Sequence, residues 1–166
     1  KRGMYRPIGI NRNNFVAITQ LRPYVPAEMM GVEWIAVGSN AFNEAVPFYA
    51  NVNATPAYLA NTGKDADTNN FYWANRLAGA LADAHYAACI SHVERYQLKL
   101  ASEGHRLLKE FDMAYQAKLA EDATAYLTEC NQKIADTAQA LTTDLLNKVL
   151  FSASVEMKNA FARSDA

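Results

Sequence analysis

The sequence predicts an α+β chain in which a short run of strands comes first and a helical layer follows. Three observations carry that prediction. Before about residue 70 the apolar residues fall in short, β-rich runs divided by turn formers. After Asn70 there is no proline, and apolar residues recur at spacings of three and four. Strands and helices are thus segregated, which argues against a doubly wound sheet, where they would alternate. The chain divides into a strand segment at 1–52, a polar connection at 53–70 and a helical layer at 71–166. All three belong to one partial domain, because residues 1–52 supply no second layer to cover the other face of their sheet.

Taken in order, the strand candidates are "RPIGI" (6–10), "FVAITQLR" (15–22), "VEWIAVG" (32–38) and "AVPFYANV" (45–52). Asn11-Arg12-Asn13-Asn14 has the polar, turn-tolerant chemistry of a hairpin connection between the first two. Along "FVAITQLR" one face fades from apolar to polar and the other is mixed, so part of this strand is expected to be covered on both faces. "RPYVPAEMMG" (22–31), with two prolines and a glycine, connects onward.

"NATPAYLANTGKDADTNN" (53–70) is a long polar connection, and Asp67, Thr68, Asn69 and Asn70 are candidate N-caps for the helix after it. The first helical stripe is Trp73, Leu77, Leu81, Ala84 and Ala88. The second is Val93, Tyr96, Leu100, Leu107, Leu108 and Phe111, with Gly104 arguing against one unbroken rod. A third runs from Tyr126 through Ile134, Ala138, Leu141, Leu145 and Val149 to Val155. Two to four helices are expected.

Bulk properties exclude several function classes. The 166 residues carry a formal net charge of -1, with 20% charged and 51% hydrophobic residues. That balance offers no electrostatic reason for nucleic acid or an anionic membrane surface as partner. No apolar run approaches the roughly 20 residues needed to span a bilayer. No apolar run follows the opening Lys1 and Arg2 either, so no secretory leader is read and a cytoplasmic location is expected. Asn53-Ala54-Thr55 is then a chance match to the glycosylation sequon. Two cysteines are too few for a disulfide framework, and Cys89 and Cys130 read as small buried apolar residues.

The chemistry-bearing residues are sparse. His85 and His92 lie seven apart, about 10 Å along one helix, too far to share a metal. His85 and Cys89 at i and i+4, with Asp83 nearby, have the spacing of an activated thiolate, but an alanine-rich run favours packing roles. No nucleotide, zinc-protease or nucleophile-elbow motif occurs, and no metal or organic cofactor is indicated. "GSNAFNEAVPFY" (38–49) is more suggestive, since its neutral amides, Asn40 and Asn43, can hold a carbonyl or an oxyanion. Arg6 and Arg22, at strand ends, can bind a carboxylate; turn formation and solvated arginines are the bland alternative.

"YRPIGINR", "ITQLRP", "EWIAVGSNAFNEAVPFYANV", "TPAYLANT" and "FYWANRLAGALADAHY", in this order, resemble the C-terminal part of the C69 family of bacterial dipeptidases. The resemblance covers roughly residues 5–115, and Trp34 with Pro47-Phe48-Tyr49 is its most specific element. It implies an N-terminal-nucleophile hydrolase, with an αββα sandwich of which this chain is part. It also implies an N-terminal cysteine nucleophile whose own α-amino group is the base. Neither Cys89 nor Cys130 matches that position, so no catalytic residue is expected in this chain and the nucleophile is expected upstream. By itself the chain is then expected to be inactive. Arg6 and Asn40 are the residues expected to face a dipeptide, Arg6 holding a charged group and Asn40 giving an amide to the pocket edge. The remaining N-terminal part of the same enzyme is an expected partner, and association into a homo-oligomer is also considered. The alternative is a non-catalytic helical interaction or oligomerisation module, resting on the alanine-rich helical half.

Overall fold

The computed structural model describes residue 10, residues 13–118 and residues 122–157. Arg6, the remainder of the expected strand 6–9, and the turn residues Asn11 and Arg12 lie outside the described residues. The described part is an α+β structure. Three antiparallel strands, β1 (Phe15–Leu21), β2 (Gly31–Val37) and β3 (Val46–Tyr49), lie in the order β1-β2-β3. Three helices follow: α1 (Phe71–Ala84), α2 (Tyr86–Lys118) and α3 (Ala123–Val155).

Register fixes which side chains meet the helices. Ile18 lies opposite Trp34, and Trp34 opposite Pro47, while Val32 lies opposite Tyr49. With a side-chain period of two, Ile18, Gln20, Val32, Trp34, Pro47 and Tyr49 share one face. On that face Trp34 meets the His105 ring of α2 at 4.7 Å between centroids. The Tyr49 hydroxyl donates to Asp112 of α2 at 2.8 Å. The expectation of a first described strand partly covered on both faces is not met here. Phe15, Ile18 and Leu21 are 60%, 56% and 70% exposed, because β1 packs chiefly on its neighbour β2.

Helix α1 differs from its sequence reading in an instructive way. Its start is Asn70, whose side-chain carbonyl accepts from the backbone N–H groups of Tyr72 and Trp73. Its buried residues, however, are Phe71, Ala74, Asn75, Ala78, Gly79 and Ala82, while Leu77 is 43% exposed. After Phe71 the inner face is formed by small side chains, because α1 packs against α3 and, at Gly79, against Phe42. Van der Waals contact between small side chains then replaces the bulk of a leucine stripe.

Helix α2 runs unbroken through Gly104. The glycine continues the buried stripe of Cys89, Val93, Tyr96, Leu100, Leu107, Leu108 and Phe111. A Cβ at that position would come within 2.8 Å of Pro47 Cδ. Gly104 is therefore where the helix touches the sheet, and its backbone is helical. His85, with φ -127° and ψ 46°, separates α1 from α2. The three helices are joined by a buried polar hub. The Tyr96 hydroxyl donates to Asn75 Oδ1 of α1 and lies 3.0 Å from Thr142 Oγ1 of α3. Asn75 Nδ2 also donates to Phe71 O, and Thr142 Oγ1 to Ala138 O, so the buried group is well satisfied.

Candidate functional site

The β2–β3 connection is built around two residues with different duties. Gly38 has φ 83°, a conformation a side chain disfavours, and an added Cβ would press on Asn75 Cβ and Arg76 N at 3.2 and 3.3 Å. Asn43 is buried, and its Nδ2 donates to Val37 O at 2.7 Å and Gly38 O at 3.2 Å. Gln97 of α2 donates to Asn43 O at 2.9 Å, tying the turn to the helical layer. Asn43 is thus a staple for the loop. Asn40 is half-buried and sits inside the turn closed by Phe42 N donating to Ser39 O at 2.9 Å.

Beside this turn lies a cleft of about 590 Å³, lined by Asn14, Ser39, Ala41, Phe42, Arg76, Gly79, Ala80 and Asp83. It opens between the start of β1, the β2–β3 turn and one face of α1. Asn40 occupies the position between two of its lining residues, Ser39 and Ala41. Arg76 is held at its edge, donating from Nη1 to Asn14 Oδ1 at 3.2 Å and to the Tyr72 hydroxyl at 3.3 Å. Sequence reading passed over Arg76 and weighed Asp83 only as a neighbour of His85. Its signal was the i, i+7 spacing of the two, which places both on one helix face.

A second cleft, of about 620 Å³, lies where β1 and β2 meet α2, with Gln20, Trp34, Glu44 and His105 in its wall. Three of its polar side chains are engaged within the cleft wall. Trp34 Nε1 donates to Gln20 Oε1 at 2.9 Å, and Glu44 Oε1 accepts from Ala45 N at 2.8 Å.

Arg22 is neither solvated nor open to a ligand carboxylate. It is buried, and its Nη1 donates to Asp112 Oδ2 at 2.6 Å while Nη2 donates to Met29 O at 2.7 Å. Asp112 also accepts from the Tyr49 hydroxyl, and the guanidinium lies 5.5 Å from the centre of the Tyr49 ring. Burial first, and then the adjacent Asp112 carboxylate, hold the Tyr49 phenol well above the ordinary tyrosine range. This network braces β3 and the β1 exit against α2.

The histidine and cysteine chemistry does not assemble. His85 Nδ1 lies 2.8 Å from Glu156 Oε2, and Cys89 Sγ points to Val149 O at 3.8 Å. Burial raises the thiol of Cys89 and pushes that of Cys130 up to about 11. That direction opposes thiolate formation, the opposite of what a nucleophile needs. Among the described residues no group of three or more His, Cys, Asp or Glu is arranged to hold a metal ion. No helix among them is long and apolar enough to cross a membrane.

Comparison with known proteins gives the site its context. The sequence profile of Peptidase family C69 matches residues 1–99. "Probable dipeptidase A" of Streptococcus pyogenes serotype M18 is 44% identical over 162 residues, 98% of this chain and 34% of that protein. "Dipeptidase" of Bifidobacterium longum is 38% identical over 202 residues, 99% of this chain and 38% of that protein. "Probable dipeptidase B" of Lactococcus lactis is 38% identical over 165 residues, 99% of this chain and 34% of that protein. The chain spans about a third of the length of the curated relatives it matches.

Proposed function

The chain belongs to peptidase family C69, and from that membership we propose that it is the C-terminal segment of a cytoplasmic dipeptidase. The observation that carries the reading is the match itself, with relatives named as dipeptidases along nearly the whole chain. The substrate is a dipeptide, and the bond broken is its single amide.

The nucleophile in this reading is a cysteine upstream of the chain, with its α-amino group as base. The state of the two cysteines supports it, since both are buried with thiols shifted away from ionisation. The segment's own task is to complete the sheet and one wall of the pocket. Arg6 holds a charged group of the substrate, and Asn40 offers its amide beside the cleft at the β2–β3 turn. The uncovered Phe15, Ile18 and Leu21 of β1 support a sandwich in which further layers complete the fold. Reduced thiols suit a reducing compartment. The exposed Phe151 and Val155 near the end of α3 support association with further copies of the enzyme.

Dipeptide hydrolysis, assayed side by side on the 166-residue chain and on the full-length protein, tests this. Activity in the longer protein alone is the expected result. Activity in the short chain overturns the upstream nucleophile, and silence in both overturns the dipeptidase reading.

A further inference from the structure

We propose that Arg76 and Asp83 of α1 are the two poles of a dipeptide site, Arg76 taking the substrate's α-carboxylate and Asp83 its α-ammonium. This rests on the dipeptidase reading and adds residues to it. A dipeptide at neutral pH is a zwitterion, and an enzyme restricted to dipeptides has to recognise both ends of its substrate at a fixed separation. The cleft beside the β2–β3 turn carries one cation and one anion on the same helix face.

Their backbone spacing, Cα to Cα, is of the order that task needs. Seven residues of α-helix advance about 10 Å. An extended dipeptide runs about 6 Å from ammonium nitrogen to carboxyl carbon, and a charge-assisted hydrogen bond at each end adds about 2.8 Å. Between the poles the helix presents Gly79 and Ala80, whose small size leaves room, while the Phe42 ring, 3.5 Å from where a Cβ at Gly79 would stand, covers Gly79 and forms a wall.

The two charges are not spent on each other. At i, i+7 the two side chains are too far apart to pair with each other, and among the described residues neither has an ion-pair partner. Asp83 stands in the last turn of α1, next to the negative end of the helix dipole, where a carboxylate is disfavoured. Arg76 is also pre-oriented. Asn14 and Tyr72 hold Nη1, and its guanidinium carbon lies 5.9 Å from the Tyr72 ring centre. A guanidinium fixed on one side presents its remaining donors to a carboxylate with little entropy left to lose.

The test uses the full-length enzyme with leucyl-leucine, its C-terminal amide and its N-acetyl derivative. Wild type is expected to prefer the free dipeptide over each blocked form in kcat/KM. Arg76→Met is expected to lower kcat/KM for leucyl-leucine by about 10- to 100-fold, with the loss in KM, and to leave the amide unaffected. Asp83→Asn is expected to do the same for the free dipeptide and to leave the N-acetyl derivative unaffected. Arg76→Lys should recover part of the loss. Unchanged turnover of the matched blocked substrate also shows that each variant is folded. Equal losses on free and blocked substrates, or no loss at all, overturn the proposal while the dipeptidase reading stands. A wild type that cleaves no dipeptide overturns the reading and the proposal with it.

Discussion

Asn131 of α3 closes both backbone hydrogen bonds of Tyr49 on the free edge of β3. The Tyr49 N–H donates to Asn131 Oδ1 at 2.8 Å, and Asn131 Nδ2 donates to Tyr49 O at 2.9 Å. One side-chain amide thus stands where a fourth strand would place a peptide group. The sheet ends at β3 because a helix caps it, and the edge is removed from further pairing. Asn131 is 2% exposed, so no water is at hand to replace either bond.

Replacing Asn131 by leucine should therefore cost more than its change in size suggests. Both Tyr49 groups lose their partner in a buried place, for a destabilisation of about 2–4 kcal/mol. Asn131→Asp keeps the acceptor but loses the donor to Tyr49 O, and should also be destabilising. Chemical denaturation of wild type and both variants measures this. A midpoint unchanged in Asn131→Leu would show that the edge is satisfied in another way.

At Gly104 local and tertiary preferences oppose each other. Glycine inside a helix is about 0.5–1 kcal/mol worse than alanine, so propensity alone predicts that Gly104→Ala stabilises. The contact with Pro47 predicts the reverse, since an added Cβ at 2.8 Å meets a ring held in a strand. Moving α2 off β3 would disturb the tilted Trp34–His105 ring contact and the Tyr49–Asp112 bond on the same face. Gly104→Ala is expected to lower stability by about 1–3 kcal/mol, the usual range for overpacking. A rise in Tm would contradict it.

The Arg22–Asp112 pair should respond unequally to loss of its carboxylate and to loss of both groups. Asp112→Ala leaves a guanidinium in a site where its side chain is 4% exposed, still donating to Met29 O at 2.7 Å but without its counter-charge. Uncompensated buried charge typically costs about 3–5 kcal/mol. The double variant Arg22→Met, Asp112→Leu removes both charges and is expected to recover much of that loss. A double-mutant cycle measures the coupling, and additive effects would mean that the two side chains do not depend on each other.

Legibility in the sequence followed how local the cause was. Asn70 was within reach because an N-cap is set by its immediate neighbours in the chain. The stripe from Val93 to Phe111 was also readable, since a helix facing a large core needs bulk at every turn. The inner face of α1 was not, because what lies opposite it is another alanine-bearing helix. There, smallness selects the buried side and Leu77 is left outside. Arg22 and Gly104 were misread for one shared reason: Asp112 and Pro47, which explain them, lie 90 and 57 residues away. On the site side, Asn40 drew notice by its turn chemistry. Arg76 and Asp83 drew little, because their common cleft exists only once β1, the turn and α1 are brought together.

The thiol of Cys130 gives a dependence of stability on pH whose sign follows from burial. Its pKa rises from an ordinary thiol value near 9 to about 11 in the fold, with desolvation as the largest cause. Below pH 9 the thiol is protonated in both folded and unfolded chains, and its contribution is fully present. As pH rises from 9 towards 11 the unfolded chain loses this proton first, so stability falls across that window. Cys130→Ala removes the titrating group and should flatten that part of the profile, even though the smaller side chain lowers stability at every pH. Denaturation midpoints at about pH 7, 9 and 10.5 for both proteins provide the check. Parallel losses across that range would assign the slope to the buried tyrosines, Tyr49 and Tyr96, whose phenols burial also raises.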